Sequence, residues 1–259
     1  MIRAIVYLLA ITLAELIVVI LEPATGIVNA SLVGMAIHLL VLVAAMVDAA
    51  RMDSYRYSRL ALALALVPLI RIISLSMPLA SIPRIWQFPI IYLPLLLAAI
   101  AVVRQTDYGP RDVGFRWGNI PVQIGVGLLG LGLGIVEYYI LVVLPAQPIE
   151  ILNIEPTLAA AWLPALVLLL STGLVEEFIF RGVLQKAATD LFGNWGIVYV
   201  SLLFAVLHIG FLSWLDVIFV FAVAMFFGYV VKRTGSLLGV TLCHGIINIM
   251  LFIAAPVFL

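Results

Sequence analysis

Charged and reactive residues are scarce in this chain of 259 residues. Only 10% of its residues are charged, whereas a typical soluble domain has about 25%. Cys243 is the single cysteine, which excludes an internal disulfide and a metal site built from several thiolates. Thirteen basic residues balance 13 acidic residues, so there is no basic surplus, and we expect no nucleic-acid partner.

Hydrophobic residues make up 66% of the sequence and occur in long runs. A run of about 20 apolar residues is long enough to cross a bilayer as a helix. The sequence therefore predicts an all-α, polytopic transmembrane bundle whose first partner is the lipid bilayer. Nine windows are candidate spans: 4–21, 27–47, 59–77, 85–103, 122–144, 159–180, 194–210, 213–231 and 237–256.

The third and fourth windows are the least secure of these spans. Arg71 lies inside the third, and prolines interrupt the stretch at Pro68, Pro78, Pro83, Pro89 and Pro94. Proline removes a backbone donor and breaks or kinks a helix. An eight-span bundle with a broken or interfacial helix in this stretch is therefore the alternative.

Basic residues predict how the bundle is oriented in the membrane. They fall in alternate connections, namely Arg51, Arg56 and Arg59, then Arg104, Arg111 and Arg116, then Arg181 and Lys186, then Lys232 and Arg233. The other connections are nearly free of lysine and arginine, with Arg84 as the exception. They contain Glu22, Glu150 and Glu155 instead. By the positive-inside rule, we expect the amino terminus in the cytoplasm and the carboxyl terminus outside.

The polar connection 104–119 predicts a boundary between two parts of the chain. Residues 1–120 would form amino-terminal transmembrane helices with only scattered polar residues, such as Glu15 and Arg71. We expect His38 among them to lie at a membrane interface. Residues 121–259 would form the carboxyl-terminal bundle, which carries clustered polar residues between about 159 and 250.

Glu176 and Glu177 are adjacent carboxylates at the end of an otherwise apolar run. A charge at the bilayer centre costs roughly 2.5–3.5 kcal/mol on insertion scales, so such residues are by default functional. Glu177 and Arg181 are four residues apart, which places them on one helix face where they can form an ion pair. Glu176 then remains as the carboxylate available for chemistry.

Three further polar residues of the carboxyl-terminal windows complete a candidate hydrolytic site. His208 ends the segment that begins at Phe204, and His244 and Asn248 share a helix face in the last window. Glutamate and histidine can act as general bases on a water molecule. An asparagine amide can donate to a developing oxyanion.

These motifs together resemble the CPBP family of intramembrane endopeptidases. That family includes the type II CAAX prenyl proteases and the Abi, or bacteriocin-processing, proteins. The resemblance covers about residues 159–250, through Glu176 to Arg181, Phe204 to His208, and His244 to Asn248. It implies a prokaryotic plasma-membrane enzyme that hydrolyses a peptide bond of a membrane-associated or lipidated, CAAX-like substrate.

The resemblance also implies roles for the individual residues. It assigns water activation to Glu176 and His208, oxyanion stabilisation to Asn248, and structural support to His244, Glu177 and Arg181. Some family members have been described as metalloproteases, and Glu176, His208 and His244 would make a three-ligand zinc set. We favour no cofactor, because a zinc-bound Glu176 leaves no second base unless Glu177 leaves Arg181. Zinc stays the alternative.

Two other classes of function stay open. A non-catalytic scaffold or bacteriocin-immunity protein could carry an inherited site, and a transporter could use the carboxylates as a proton relay. The sequence lacks broken-helix signals in both halves, which counts against a transporter. The windows also place His208 about 10 Å or more from the depth of Glu176 and His244, at about 1.5 Å per residue.

Overall fold

A computed structural model describes residues 2–76, 82–144, 152 and 157–259. Every regular element in these ranges is a helix, which confirms the predicted all-α bundle. The first part contains α1 (Ile2–Thr25), α2 (Ile27–Arg51), α3 (Tyr55–Leu64), α4 (Leu66–Ser76) and α5 (Arg84–Gln105).

The second part contains the helices on which the polar motifs lie. They are α6 (Ile120–Tyr138) with a π-helical end (Tyr139–Val143), α7 (Leu158–Leu168), two π-helical segments (Leu169–Glu176 and Phe178–Leu184), α8 (Gln185–Phe192), α9 (Trp195–Val206), a 3-10 turn (Ile209–Phe211), α10 (Trp214–Thr234), α11 (Leu238–Ile249), a π-helical segment (Met250–Ala254) and α12 (Ala255–Phe258).

Eight helices of the described ranges are long and apolar enough to span a membrane, as expected of an integral membrane protein. The doubtful third and fourth windows both form such helices, Tyr55–Ser76 and Arg84–Gln105. Pro68 lies in the first turn of α4, where the missing N–H costs little. Pro78 lies outside the described residues. The short helix is instead the seventh, Trp195–Phe211.

The sixth spanning helix is much longer than its predicted window, and this corrects the predicted depth of His208. The window ended at 180 because polar residues follow, yet the helix continues to Phe192. The chain turns back at Gly193, whose φ is 60°, and then forms α9. At about 1.5 Å per residue, the helix from Glu176 to this turn and the helix from the turn to His208 have similar lengths. Glu176 and His208 therefore lie at similar depths. The predicted offset of ten ångströms was therefore wrong.

Glycines hold α11 close to its neighbours on two sides. A Cβ atom at Gly130 of α6 would lie 2.5 Å from the Cys243 carbonyl oxygen. A Cβ atom at Gly173 would lie 2.8 Å from the Thr241 carbonyl oxygen and 3.1 Å from the Cα atom of Gly245. Small residues allow such close backbone contact between membrane helices. α11 is thereby fixed against the π-helical segment that ends at Glu176.

Candidate active site

Glu176 and Glu177 lie at the junction of the two π-helical segments. π-helical turns are rare and are frequent at functional sites, because the wider turn redirects side chains. The two carboxylates have different surroundings. The Glu176 side chain is 15% exposed, whereas the Glu177 side chain is completely buried. Only Glu176 is therefore accessible to a water molecule or a substrate.

Glu177 is compensated by two partners. Its Oε1 atom lies 3.2 Å from Arg181 Nη1 and 2.7 Å from His244 Nδ1. The Arg181 guanidinium also lies 4.4 Å from the centre of the Phe204 ring, within the range of a cation–π contact. Glu177 thus pairs with Arg181 at the predicted spacing and, in addition, fixes the His244 ring.

Glu176 lies between His244 and a tyrosine of α5. Its Oε2 atom is 3.8 Å from His244 Nε2, and the Tyr92 hydroxyl donates a hydrogen bond to its Oε1 atom. The sequence patterns did not connect Tyr92 with the site. The one available signal was general, since a buried tyrosine hydroxyl usually needs a hydrogen-bond partner.

His208 lines the same cavity as Glu176. This cavity has a volume of about 410 Å³, and Tyr92 and Arg71 also line it. His208 Nδ1 lies 3.0 Å from the Phe204 carbonyl oxygen, which can only accept a hydrogen bond. Nδ1 is therefore the protonated nitrogen of the neutral ring, and Nε2 is the one that can accept a proton.

Glu137 joins the two histidines at a second, smaller cavity. This cavity has a volume of about 30 Å³ and is lined by Glu137, His208 and His244, among others. It can hold about one or two water molecules. The Glu137 Oε2 atom is buried without a hydrogen-bond partner. The sequence shows Glu137 only as an isolated carboxylate in a glycine-rich span, with no motif that links it to the histidines.

Asn248 is held by a neighbouring helical segment. Its Nδ2 atom donates to Thr172 Oγ1 over 2.9 Å, and that hydroxyl donates to the Leu168 carbonyl oxygen. Asn248 is not among the residues that line the cavity of Glu176 and His208. Its role as an oxyanion donor stays a prediction.

The proposed zinc set does not form a ligand cluster. In the described part of the chain, no three His, Cys, Asp or Glu side chains converge as they would around a metal ion. The Nδ1 atoms of His208 and His244 are engaged with the Phe204 carbonyl oxygen and with Glu177, so only their Nε2 atoms are available as ligands. As placed, Glu176, His208 and His244 do not form a three-ligand site.

The site falls within a segment that matches a known family. Residues 158–250 match the family model described as Rce1-like, type II CAAX prenyl endopeptidase. This segment is similar to the Rce1-like family. The match confirms the resemblance to the type II CAAX prenyl proteases, and it contains Glu176, His208, His244 and Asn248.

The Rce1-like segment does not contain the whole site. Tyr92 and Glu137 both lie outside the matched residues. Tyr92 belongs to the first predicted part of the chain, yet it bonds directly to Glu176. The division at residue 120 stays a prediction. Searches of curated proteins and of solved structures found no match.

Proposed function

We propose that the chain is an intramembrane endopeptidase that hydrolyses a peptide bond of a membrane-associated or lipidated, CAAX-like substrate. One observation carries this proposal. A carboxylate and a histidine with a proton-accepting Nε2, Glu176 and His208, line one cavity in a membrane bundle. Both belong to the segment that matches an endopeptidase family.

Glu176 is the proposed general base. It takes a proton from a water molecule, whose oxygen then attacks the carbonyl carbon of the substrate and forms a tetrahedral intermediate. When the C–N bond breaks, the same proton passes from Glu176 to the leaving nitrogen. His208 Nε2 accepts a hydrogen bond from the same water, orients it for attack and so shares in its general-base activation.

Asn248 is the proposed donor to the reacting carbonyl group, and Tyr92 is the proposed positioning residue for Glu176. The Tyr92 hydroxyl donates its one O–H to the Glu176 carboxylate and so holds that carboxylate beside the attacking water. The Asn248 amide carries two N–H groups, and Thr172 receives one of them. The second is the proposed donor to the oxyanion. Removal of one such donor costs roughly 2.7–4 kcal/mol in other enzymes.

Glu177 and Arg181 are the proposed framework of the site. The Glu177 carboxylate holds His244 Nδ1, so that His244 Nε2 points toward Glu176. This is the arrangement in which a buried carboxylate fixes the orientation of a histidine ring. Arg181 balances the charge of Glu177, because an unpaired charge in this position would be costly.

Cleavage of a membrane-peptide reporter by purified protein tests the proposal. We expect wild type to cleave it, Glu176→Ala to lose the activity, and the exposed-site control Glu22→Ala to keep it. A zinc chelator should leave the wild-type rate unchanged if no metal takes part. Loss of activity with the chelator as well as with Glu176→Ala would support the zinc route. Cleavage by Glu176→Ala at the wild-type rate would refute the proposed base.

A further inference from the structure

A cavity of about 260 Å³ lies where the connection between α5 and α6 meets α8 and the end of α10. We call it the basic cavity, because five of its lining residues carry a positive charge. These are Arg111, Arg116, Arg181, Lys186 and Lys232. Among the described lining residues, Asp112 is the only carboxylate. Like charges around one cavity repel one another, so a bound anion would be favoured there.

Most of the positive charge around the basic cavity is not neutralised by the protein. Within the part of the chain that the structure describes, Arg111, Arg116 and Lys232 have no carboxylate within 4 Å. The hydrogen bonds that Arg116 and Lys232 donate go to neutral oxygen atoms, which leave the charge in place. Lys186 differs, since its Nζ atom lies 2.6 Å from Asp190. Three cations are therefore free to bind an anion.

Arg181 is the buried cation of this cavity. Its side chain is only 1% exposed, and its Nη1 atom lies 3.2 Å from Glu177 Oε1. Its Nη2 atom is buried and has no hydrogen-bond partner among the described residues. A buried donor without an acceptor is costly, and guanidinium N–H groups match the oxygen atoms of a phosphate. A phosphate group in the cavity would supply the missing acceptor.

A second cavity, of about 480 Å³, adjoins the basic cavity and is mainly apolar. The two cavities share Arg111, Gly114 and Arg116 as lining residues. The hydrophobic residues that line this apolar cavity are Phe115, Trp117, Leu174, Leu237 and Leu238. Trp117 is 77% exposed just before α6 begins, and tryptophan is enriched at the interface between membrane and water. A basic cavity beside an apolar one fits a molecule with an anionic head and a hydrocarbon chain.

We propose that the basic cavity binds a phosphate group, and that the apolar cavity takes the acyl chains of the lipid that carries this phosphate. Basic pockets between membrane helices bind anionic lipid headgroups. The depth agrees, because the spanning helices that contain α6 and α11 begin beside these cavities. The two cavities share no described lining residue with the cavity of Glu176 and His208. The lipid site therefore goes beyond the proposed peptidase function.

Native mass spectrometry of the full-length protein, released from a non-ionic detergent, tests the proposal because it identifies a bound molecule by its mass. Three probes separate the parts of the ligand. Dioctanoyl phosphatidic acid carries the phosphate and the chains, inorganic phosphate carries the anion alone, and dioctanoylglycerol carries the chains alone. We expect saturable binding of phosphatidic acid, and weaker binding of the two other probes, because each of them fills only one of the two cavities.

Two double variants with the same change in net charge test where the lipid binds. Arg111→Gln with Lys232→Gln removes two cations that line the basic cavity. Arg104→Gln with Arg233→Gln is the matched control, since these two cations lie in the last turns of α5 and α10 and line neither cavity. All four side chains are exposed, so both variants should keep the wild-type unfolding midpoint, which is measured alongside.

The cavity variant should bind phosphatidic acid at least about tenfold more weakly than wild type, because two contacts to a charged group are lost. The control variant should bind it as wild type does. Equal weakening in both variants, or no saturable binding by wild type, would overturn the proposal. Inorganic phosphate that binds as tightly as phosphatidic acid would overturn the lipid as its source, and dioctanoylglycerol that does so would overturn the role of the charge. No outcome depends on peptide cleavage, so the test is independent of the proposed peptidase function.

Discussion

Two buried clusters in this bundle have the same chemical composition. In the amino-terminal part, Glu15 Oε1 lies 2.6 Å from Arg71 Nε and 3.1 Å from His38 Nε2. In the carboxyl-terminal part, Glu177 Oε1 lies 3.2 Å from Arg181 Nη1 and 2.7 Å from His244 Nδ1. Each cluster places one carboxylate between an arginine and a histidine.

The difference between the clusters is the carboxylate that has no arginine. Glu176 lies beside the second cluster, is partly exposed, and lines a cavity with His208. The amino-terminal cluster has no second carboxylate of this kind among the described residues. A carboxylate paired with arginine and histidine is a way to tolerate charge in a membrane. We therefore propose Glu176, and not the paired glutamates, as the carboxylate that carries the chemistry.

The histidines of the two regions give the largest expected contrast in activity. His208→Ala should lower the cleavage rate by about 10²–10⁴-fold, the usual contribution of general acid–base catalysis. His38→Ala should leave the rate of the folded protein near wild type, because His38 contacts Glu15 and not the cavity. Rates and thermal unfolding midpoints are measured in the same detergent. An equal loss of rate in both variants would contradict a special role of His208 in catalysis.

The paired carboxylates should behave alike in stability. Glu15→Gln removes the negative partner of Arg71, which is partly buried, and of His38. Glu177→Gln removes the negative partner of Arg181, which is buried, and of His244. Breaking a buried pair by removing one partner costs about 3–5 kcal/mol. We expect both variants to unfold at lower temperature, with a larger effect for Glu177→Gln because its arginine is more buried. A wild-type unfolding midpoint for either would show that its cluster does not stabilise the fold.

Substitution of a tyrosine is expected to change the cleavage rate less than substitution of His208. Tyr92→Phe removes a hydrogen bond to the Glu176 carboxylate, and hydrogen bonds to charged groups contribute about 1.5–3 kcal/mol. The cleavage rate should then fall by up to about 100-fold, because Glu176 loses the contact that positions its carboxylate for the water.

Tyr199→Phe is the matched control for this variant. Tyr199 donates to the Ala4 carbonyl oxygen and does not line the cavity of Glu176. Loss of this hydrogen bond should lower the unfolding midpoint and leave the cleavage rate unchanged. A Tyr92→Phe enzyme with the wild-type rate would exclude Tyr92 from the catalytic arrangement.

The sequence singled out residues that the structure brings close together, because charges in apolar runs are costly and conspicuous. Glu177 and Arg181 lie in contact, as their spacing indicates, and Glu176 and His208 share a cavity. His38 was predicted to be interfacial, and this was wrong, since it is completely buried against Glu15. Glu15 is 23 residues away in sequence, and no local pattern connects it with His38.

Other features could not be predicted from local patterns. Tyr92 and Glu137 reach the site only through the packing of α5 and α6 against the carboxyl-terminal helices. The extension of the sixth span to Phe192 was hidden by its polar residues, which face neighbouring side chains and not lipid. One of them, Gln185, donates to the Gly228 carbonyl oxygen over 3.0 Å. The π-helical segments likewise have no sequence period of their own to reveal them.

The most direct test compares Glu176→Gln with Glu15→Gln in one preparation. Both substitutions replace a carboxylate by an amide of nearly equal size. We predict that Glu176→Gln loses cleavage by about 10²–10⁴-fold and keeps its unfolding midpoint. Glu15→Gln should unfold at lower temperature and lose much less of its rate, because in its cluster only Arg71 lines the cavity. Wild-type cleavage by Glu176→Gln would contradict the account, because catalysis would then not depend on the carboxylate that has no arginine partner.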